Sequence, residues 1–526
     1  MTWAALIYLI PGAISALALI GTKVTGSDHY YHALVINGIR DNKHRFIVEL
    51  SNFMTNNYAS YPQLLHWVLS FFPEKYALKI GKYSSVLFHL LSAFTLYLFA
   101  IEIYPYVAQG QGPSLETFLV YVGVIYVSTP YHYDMENAKN LNISARGIGL
   151  FLGQVFTYAL VIYSINGQFE MLAVAGVSAT LIYMSSQFST QYLLFSSPLF
   201  ALLFWDPLLL LIPIVGVLPY FILMPKVAYL SFKGQLNHKR VYVKHLATKY
   251  ILDIRYSIWR DWVYDFWVKF LSKDSGLSFT KKLGYLITNP LVIVVFSMPF
   301  LIPVMVEITG LFHQTGILRT GNILYALIVP VGIGIFIFLA TSFRASRFLG
   351  EPERYIEFSL GLIAILASEV FESSTFLRVV IILSIILVLS RYYLYVTQVL
   401  KRRNEKFSNN LEVIRDRLLE VSEQKEVRLL CNNTFACKTF FDHRISIFWV
   451  TLLSEMTGSF HFEEIFKESY SYIQEEIIAP ISKEFDVNYL VIDNELTPNI
   501  ETALNEGGVK VKLLKTYDNY ELYEVV

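Results

Sequence analysis

Eleven stretches of almost unbroken apolar residues recur along the chain, and they decide its fold class before any motif is read. The first runs from Trp3 to Ile20; others lie near 82–103, 116–132, 148–165, 170–186, 189–205, 207–224, 290–308, 322–341, 356–370 and 376–396. A helix needs roughly 17–25 apolar residues to cross a bilayer, so several of these are close to the minimum, and tilted or re-entrant pieces are expected. Hydrophobic residues make up 54 % of the 526 and charged residues 16 %, against about 25 % charged in an ordinary globular chain. So little charge leaves too little polar surface to cover that much apolar side chain. Lipid is then the second solvent, and the chain reads as a polytopic α-helical membrane protein with about 11 transmembrane helices.

The same numbers exclude other classes. Forty-two basic residues balance 42 acidic ones, which removes the electrostatic argument for nucleic acid as a partner. Two cysteines in so long a chain build neither a disulfide scaffold nor a cysteine metal cluster. Cys431 and Cys437 are compatible with a bridge or with free thiols. The opening apolar segment lacks the basic flank of a signal peptide and is read as a retained helix. No phosphate-binding loop, dinucleotide fingerprint or zinc spacing is present.

Three hydrophilic stretches interrupt the apolar pattern, at 23–82, 226–289 and 341–358. The second carries Tyr256, Trp259, Trp262, Trp267 and Phe270 among Arg255, Arg260, Asp261 and Lys269. Indole rings mixed with charges over one helix length describe a helix lying at the headgroup level. The membrane domain therefore spans 1–400, with 401–426 a charged helical connector and 427–526 a small C-terminal soluble α/β domain. Within that domain, VRLLC, Tyr489–Ile492, VKVKLL and YELYEVV read as strands. Runs near Phe435–Met456, Phe462–Phe485 and Ile500–Glu506 read as helices.

Counting spans places 23–82, the segment following Pro130, 226–289 and 341–358 on one membrane face. The other face receives short turns such as 164–168 and 204–207. One face is built as a site. Lys and Arg are concentrated there, but the positive-inside rule weakens for loops of about 60 residues, so charge fixes no orientation.

The candidate site residues lie in those segments. Asp28 follows the first helix and is grouped with His29 and His32. Ser27 or Asp28 can cap a helix running to about Asn37. A carboxylate at the mouth of a membrane cavity instead points to catalysis or substrate orientation, with the histidines beside it contacting substrate. Asp28 and His32 are four apart and on a helix can share a cation. A third ligand is not evident, so no metal site is assigned and a divalent cation is left open as a cofactor. In the stretch 58–83 Pro62 can open a short helix with an apolar stripe of Leu64, Leu65, Trp67 and Val68, which reads as interfacial, and His66 on its own is weak evidence. Asp134, Glu136, Lys139 and Arg146 fall in a short loop on the same face, either as a solvated loop or as substrate contacts. In Gly350–Tyr355 a rigid turn precedes Glu353, Arg354 and Tyr355. An arginine at that helix start can fork onto a phosphate. The alternative is pairing of Glu351 or Glu353 with Arg344, Arg347 or Arg354.

Asp28 after the first helix, Tyr31–His32, Asn42–Lys43–His44–Arg45, and Tyr61–Pro62–Gln63–Leu64–Leu65–His66 together resemble the GT-C superfamily, in its protein mannosyltransferase-like branch. The resemblance covers the order of elements over residues 1–400. It implies a membrane glycosyltransferase of the cell envelope that uses a polyprenyl-phosphate sugar donor. The acceptor would be a glycan, protein or lipid. The active site would face the extracytoplasmic side of a prokaryotic plasma membrane. It also implies Asp28 as general base, with support from the second short loop and from an Arg-Tyr loop late in the membrane domain. Many members carry paired acids where this chain has Asp28–His29, so the resemblance carries over no shared metal role. The expected reaction is a single inverting displacement on a hydroxyl acceptor. A polysaccharide polymerase or ligase acting on lipid-linked glycans is the nearest alternative. A transporter fits less well, since no inverted repeat is visible and the charges lie outside the spans.

Overall fold

The computed structural model describes residues 3–20, 28–50, 52–55, 59, 61–107, 113–133, 143, 145–241, 243–245, 290–306, 323–343, 346, 349, 352–369, 375–404, 410–450, 456–466, 472–495, 497 and 499–526. The aromatic segment at 250–270 and Asp134, Glu136 and Lys139 lie outside them. Contacts divide the chain into two compact units. One comprises Met1–Thr22, Lys82–Leu223 and Leu252–Gln398; the other comprises Lys23–Gly81, Met224–Ile251 and Val399–Val526.

The first unit is a helical bundle. Among the described residues, Ser84–Val107, Ala145–Asn166 and Ile323–Thr341 are long and apolar enough to cross a membrane. Six shorter apolar helices accompany them: Trp3–Leu17, Leu115–Val127, Phe169–Ser185, Pro207–Leu223, Leu360–Glu369 and Thr375–Ser390. On the last of these Val379, Ile382, Leu383, Ile386 and Leu389 are exposed, and Ile214, Val215, Leu218 and Ile222 are exposed on Pro207–Leu223. Such continuous apolar faces belong against lipid. Inside, Tyr8 donates to the Leu119 carbonyl at 2.9 Å, and Phe99 stacks on Tyr158 at 4.4 Å.

Helices in lipid gain little from apolar contact, so close approach depends on small residues. Ala145–Asn166 carries Gly149 and Gly153, four apart and on one face. A Cβ on Gly149 would lie 2.4 Å from both Ser186 Cβ and Ser189 Oγ, and one on Gly153 would lie 2.3 Å from the Phe358 ring. These two glycines admit the start of Gln187–Leu203 and the segment around Arg354–Glu357 against the same helix.

The second unit is built on a five-stranded sheet, with strands β1 (Val427–Cys431), β2 (Ile445–Ile447), β5 (Tyr489–Asp493), β6 (Val511–Tyr517) and β7 (Tyr520–Val525). A two-stranded ribbon, β3 (Met456–Thr457) and β4 (Phe460–His461), stands apart. The sheet order is β2-β1-β5-β7-β6, with β2, β1 and β5 parallel and the β5–β7 and β7–β6 pairs antiparallel. The run read as helical over Phe435–Met456 forms a short helix at Thr434–Cys437 and then β2. Asp442 breaks it: its Oδ1 accepts from the Arg444 amide at 3.1 Å and from Arg444 Nε at 2.9 Å, turning the chain before Ile445. In the run read as one helix over Phe462–Phe485, the described residues form the helices Phe462–Phe466 and Glu475–Glu484. Cys431 and Cys437 are free and buried.

Residues from the first hydrophilic stretch extend this sheet. Met54 donates to the Ile447 carbonyl at 2.9 Å, and Ile447 donates to the Asn52 carbonyl at 2.7 Å, so Phe53 lies parallel beside β2. Phe53 meets Phe441 edge-on at 5.1 Å. Leu34, Val35, Ile39 and Ile47 share one core with Val427, Leu429 and Ile447. Phe53→Ala is expected to cost about 3–5 kcal/mol. Amide exchange at Met54 and Ile447, followed by mass spectrometry, should accelerate while that of Ala145–Asn166 stays unchanged.

Candidate functional site

Each unit gathers part of the candidate set. In the second unit, Asp28 is the first residue of the helix Asp28–Asp41; its side chain and that of His29 lie outside the description. His32, one turn on, is 7 % exposed and His66 is fully buried. Their rings stack at 5.0 Å, with His32 Nδ1 and His66 Nε2 at 2.8 Å. Tyr61 meets both edge-on, at 6.2 and 6.1 Å. His66, set aside from its isolated position in sequence, is thus the partner of His32. No linear signal marks this partnership, since His32 and His66 are 34 positions apart and meet only through the fold.

The Asn42–Arg45 stretch and Gln63 hold this arrangement. Past Asp41 the chain reverses through Lys43 and His44, both left-handed, at φ 55° and 58°. Such non-glycine conformations cost on the order of 1–3 kcal/mol each. Contacts from the helix Leu64–Ser70 and from Phe71 offset that cost. Trp67 Nε1 donates to the His44 carbonyl at 3.0 Å, His44 Nδ1 lies 3.0 Å from Ser70 Oγ, and the His44 ring stacks on Phe71 at 4.6 Å. Gln63 is buried and acts like a strand neighbour to Ile47, accepting from its amide at 3.0 Å and donating to its carbonyl at 2.7 Å.

In the first unit, Arg146 stands in the first turn of Ala145–Asn166, and Arg354 opens the short helix Arg354–Glu357. They line one pocket with Leu150, Ser186, Phe188, Ser189, Glu357 and Phe358. Its volume of about 20 Å³ takes a water or a single oxygen of a larger anion. Arg354 is 9 % exposed, with its guanidinium 5.7 Å from the Phe188 ring centre. Tyr355 is buried; its hydroxyl donates to Gln191 Oε1 at 2.9 Å, and its ring lies 4.6 Å from Phe188. Glu353 is buried at the cap position of the short helix and makes no side-chain cap bond. Ser186 caps Gln187–Leu203 and accepts from the Ser189 amide at 3.4 Å.

Two guanidiniums, two serines and a helix N-terminus converge here, and all three favour an anion. Glu357 opposes them as the one carboxylate among the described lining residues; it is buried and accepts from the Tyr131 hydroxyl at 3.3 Å. Ser186, Ser189 and Glu357 are absent from the sequence-derived set. Glu357 had a signal, being one turn beyond Arg354 in an otherwise apolar run. The serines had none, since two hydroxyls in a membrane helix are ordinary.

No protein-family model matches the chain, and no curated protein matches it either. Solved structures do. The archaeal oligosaccharyltransferase AglB from Archaeoglobus fulgidus, in complex with an inhibitory peptide and a dolichol-phosphate, aligns with a TM-score of 0.56 at 11 % identity, over 100 % of this chain and 74 % of that one. ArnT from Cupriavidus metallidurans, bound to undecaprenyl phosphate, aligns at 0.52 and 11 % identity, over 99 % and 97 %. At this identity the likeness is one of fold, which the chain shares with these oligosaccharyltransferase and ArnT structures. A second A. fulgidus oligosaccharyltransferase structure, with zinc and sulfate, aligns at 0.50 and 12 % identity, over 98 % and 73 %. With its apolar helices, three of them long enough to cross a bilayer among the described residues, the chain is an integral membrane protein. Among the described residues no group of three His, Cys, Asp or Glu side chains is placed to hold a metal.

The histidine pair makes a pH prediction. Burial, and then the facing His32, hold His66 well below the ordinary histidine range. Below about pH 6.5 the unfolded chain takes up a proton that the folded one refuses, so stability falls with pH there. Wild-type protein is expected to hold its stability down to about pH 6.5 and to lose on the order of 1 kcal/mol as pH falls from there to about 5.5. His66→Gln should flatten that dependence in thermal unfolding.

Proposed function

We propose that the chain transfers a sugar from a polyprenyl-phosphate donor to an acceptor hydroxyl, with inversion at the anomeric carbon. The observation that carries this reading is the pairing of Arg146 and Arg354 in one pocket at a capped helix start, within a GT-C fold. Polyprenyl phosphates also occupy two solved proteins of that fold, as dolichol-phosphate and undecaprenyl phosphate.

In the proposed reaction Asp28 accepts the proton of the acceptor hydroxyl as its oxygen attacks the anomeric carbon. The leaving group is a phosphate, so cations can stand in for a general acid. Arg354 and Arg146 neutralise the charge that develops on it, with the Ser186–Ser189 helix start adding oriented dipoles. Phe188, Tyr355 and Gln191 fix Arg354 in place, which preserves its two-pronged geometry. The polyprenyl tail is proposed to lie between membrane helices. His29, His32, Asp134, Glu136, Lys139 and Glu353 remain proposed substrate contacts, and a divalent cation remains a proposed addition. The short apolar helices would bring the number of crossings toward the eleven read from sequence. The proposed setting is a prokaryotic plasma membrane, with the site on its extracytoplasmic face.

The test is transfer by detergent-purified protein from a panel of radiolabelled polyprenyl-phosphate sugars. Asp28→Asn keeps shape and capping ability and is expected to lower the rate by about 10²–10⁴-fold. Arg354→Lys keeps the charge but loses the fork and is expected to lose roughly 10²-fold. Wild-type rates in Asp28→Asn refute the base assignment. Wild-type rates in both variants refute the roles given to Asp28 and Arg354, and absence of transfer from every donor in the panel refutes the reading as a whole.

A further inference from the structure

The sheet of the second unit contains a crevice whose position follows from topology. From β1 the chain moves outward to β2, and from β5 it moves the other way toward β7 and β6. Loops leaving the carboxyl ends of the adjacent parallel strands β1 and β5 therefore diverge. In open parallel sheets such a reversal point is where ligands bind.

That point is organised by side chains. Asn432 Oδ1 accepts from the Asp493 amide at 2.9 Å, Asn432 Nδ2 donates to Thr497 Oγ1 at 3.0 Å, and Asn433 Nδ2 donates to Asp493 Oδ2 at 3.2 Å. Ile473 donates to the Asn432 carbonyl at 2.8 Å, bringing the segment before Glu475–Glu484 alongside. Between them lies a groove of about 510 Å³, lined by Tyr472, Gln474, Glu475, Glu476 and Thr497 with Ile473 and Ala503. This volume is within the range of small-molecule sites, about 300–1,000 Å³. Glu475 Oε1 is buried in its wall without a hydrogen-bond partner. Beside the groove Asp493 is 7 % exposed; its Oδ1 also lies outside hydrogen-bonding geometry, with the Tyr520 phenol as neighbour.

The described lining carries two carboxylates and no Lys or Arg, which disfavours phosphates and other anions. Its walls are too polar for a lipid tail, and the described residues offer no three-ligand metal group. An acceptor-rich surface with one phenol ring suits a ligand that presents several O–H donors. We propose that this groove binds the hydroxyl groups of a neutral sugar chain. The inference stands apart from the reading of the membrane bundle, because every residue it uses belongs to the second unit.

The experiment is saturation-transfer difference NMR on full-length, detergent-purified protein. The probes are mannotriose and triacetylchitotriose, with pentalysine and calcium chloride as competitors. One of the neutral trisaccharides is expected to receive saturation. Its signal should fall at least tenfold in Glu475→Ala and in the exposed Glu476→Ala, and persist in Lys512→Ala on β6. A signal untouched by both groove variants, no signal from either trisaccharide, or displacement by pentalysine or calcium overturns the proposal. Failure here leaves sugar transfer and its Arg354 dependence intact, so the two readings fail separately.

Discussion

The pocket that gathers Arg146 and Arg354 depends on the close approach that Gly149 and Gly153 allow. An arginine buried among membrane helices is expensive unless fixed partners surround it. Arg354 has them because Phe358 settles on Gly153 and the Ser186 cap settles on Gly149. One short strip of a single helix therefore brings together two segments that are far apart in sequence. The packing comes first, and the electrostatics are built on it.

The second unit shows a different dependence. Its sheet is formed by C-terminal strands, yet one side of it is finished by residues 52–54, and its core is shared with the helix that Asp28 opens. Burial of Ile39, Ile47 and Phe53 against Leu429 and Ile447 anchors that helix. Tyr30 adds a hydrogen bond to Glu412 at 3.2 Å and a contact with the Arg415 guanidinium at 4.8 Å. A residue proposed for chemistry is thus carried on an element held by a domain with no apolar span of its own among the described residues.

Much of this was readable before any coordinates. Apolar runs identified the bundle, because lipid enforces a simple composition on whatever it touches. Strands β1, β5, β6 and β7 were legible because they keep β-branched and aromatic residues in short runs bounded by turns. The short β2 was hidden in an aromatic-rich stretch that also satisfies helical spacing, and only the Asp442–Arg444 turn breaks it. Arg146 and Arg354 were legible because each sits at a helix start in a polar segment between apolar runs. Ser186, Ser189 and the His32–His66 contact were not, since each depends on tertiary neighbours that a linear reading cannot bring together.

The Phe53–β2 pairing also sets an order of events during synthesis. Thr55 donates to the carbonyl of Trp449, which lies 394 positions further along the chain. At about 5–20 residues per second, a ribosome would take tens of seconds to deliver that partner. Throughout that interval the edge formed by Asn52–Met54 has nothing to pair with. An unpaired edge of this kind is open to off-pathway pairing for as long as its partner is missing, and truncation before β2 removes that partner altogether.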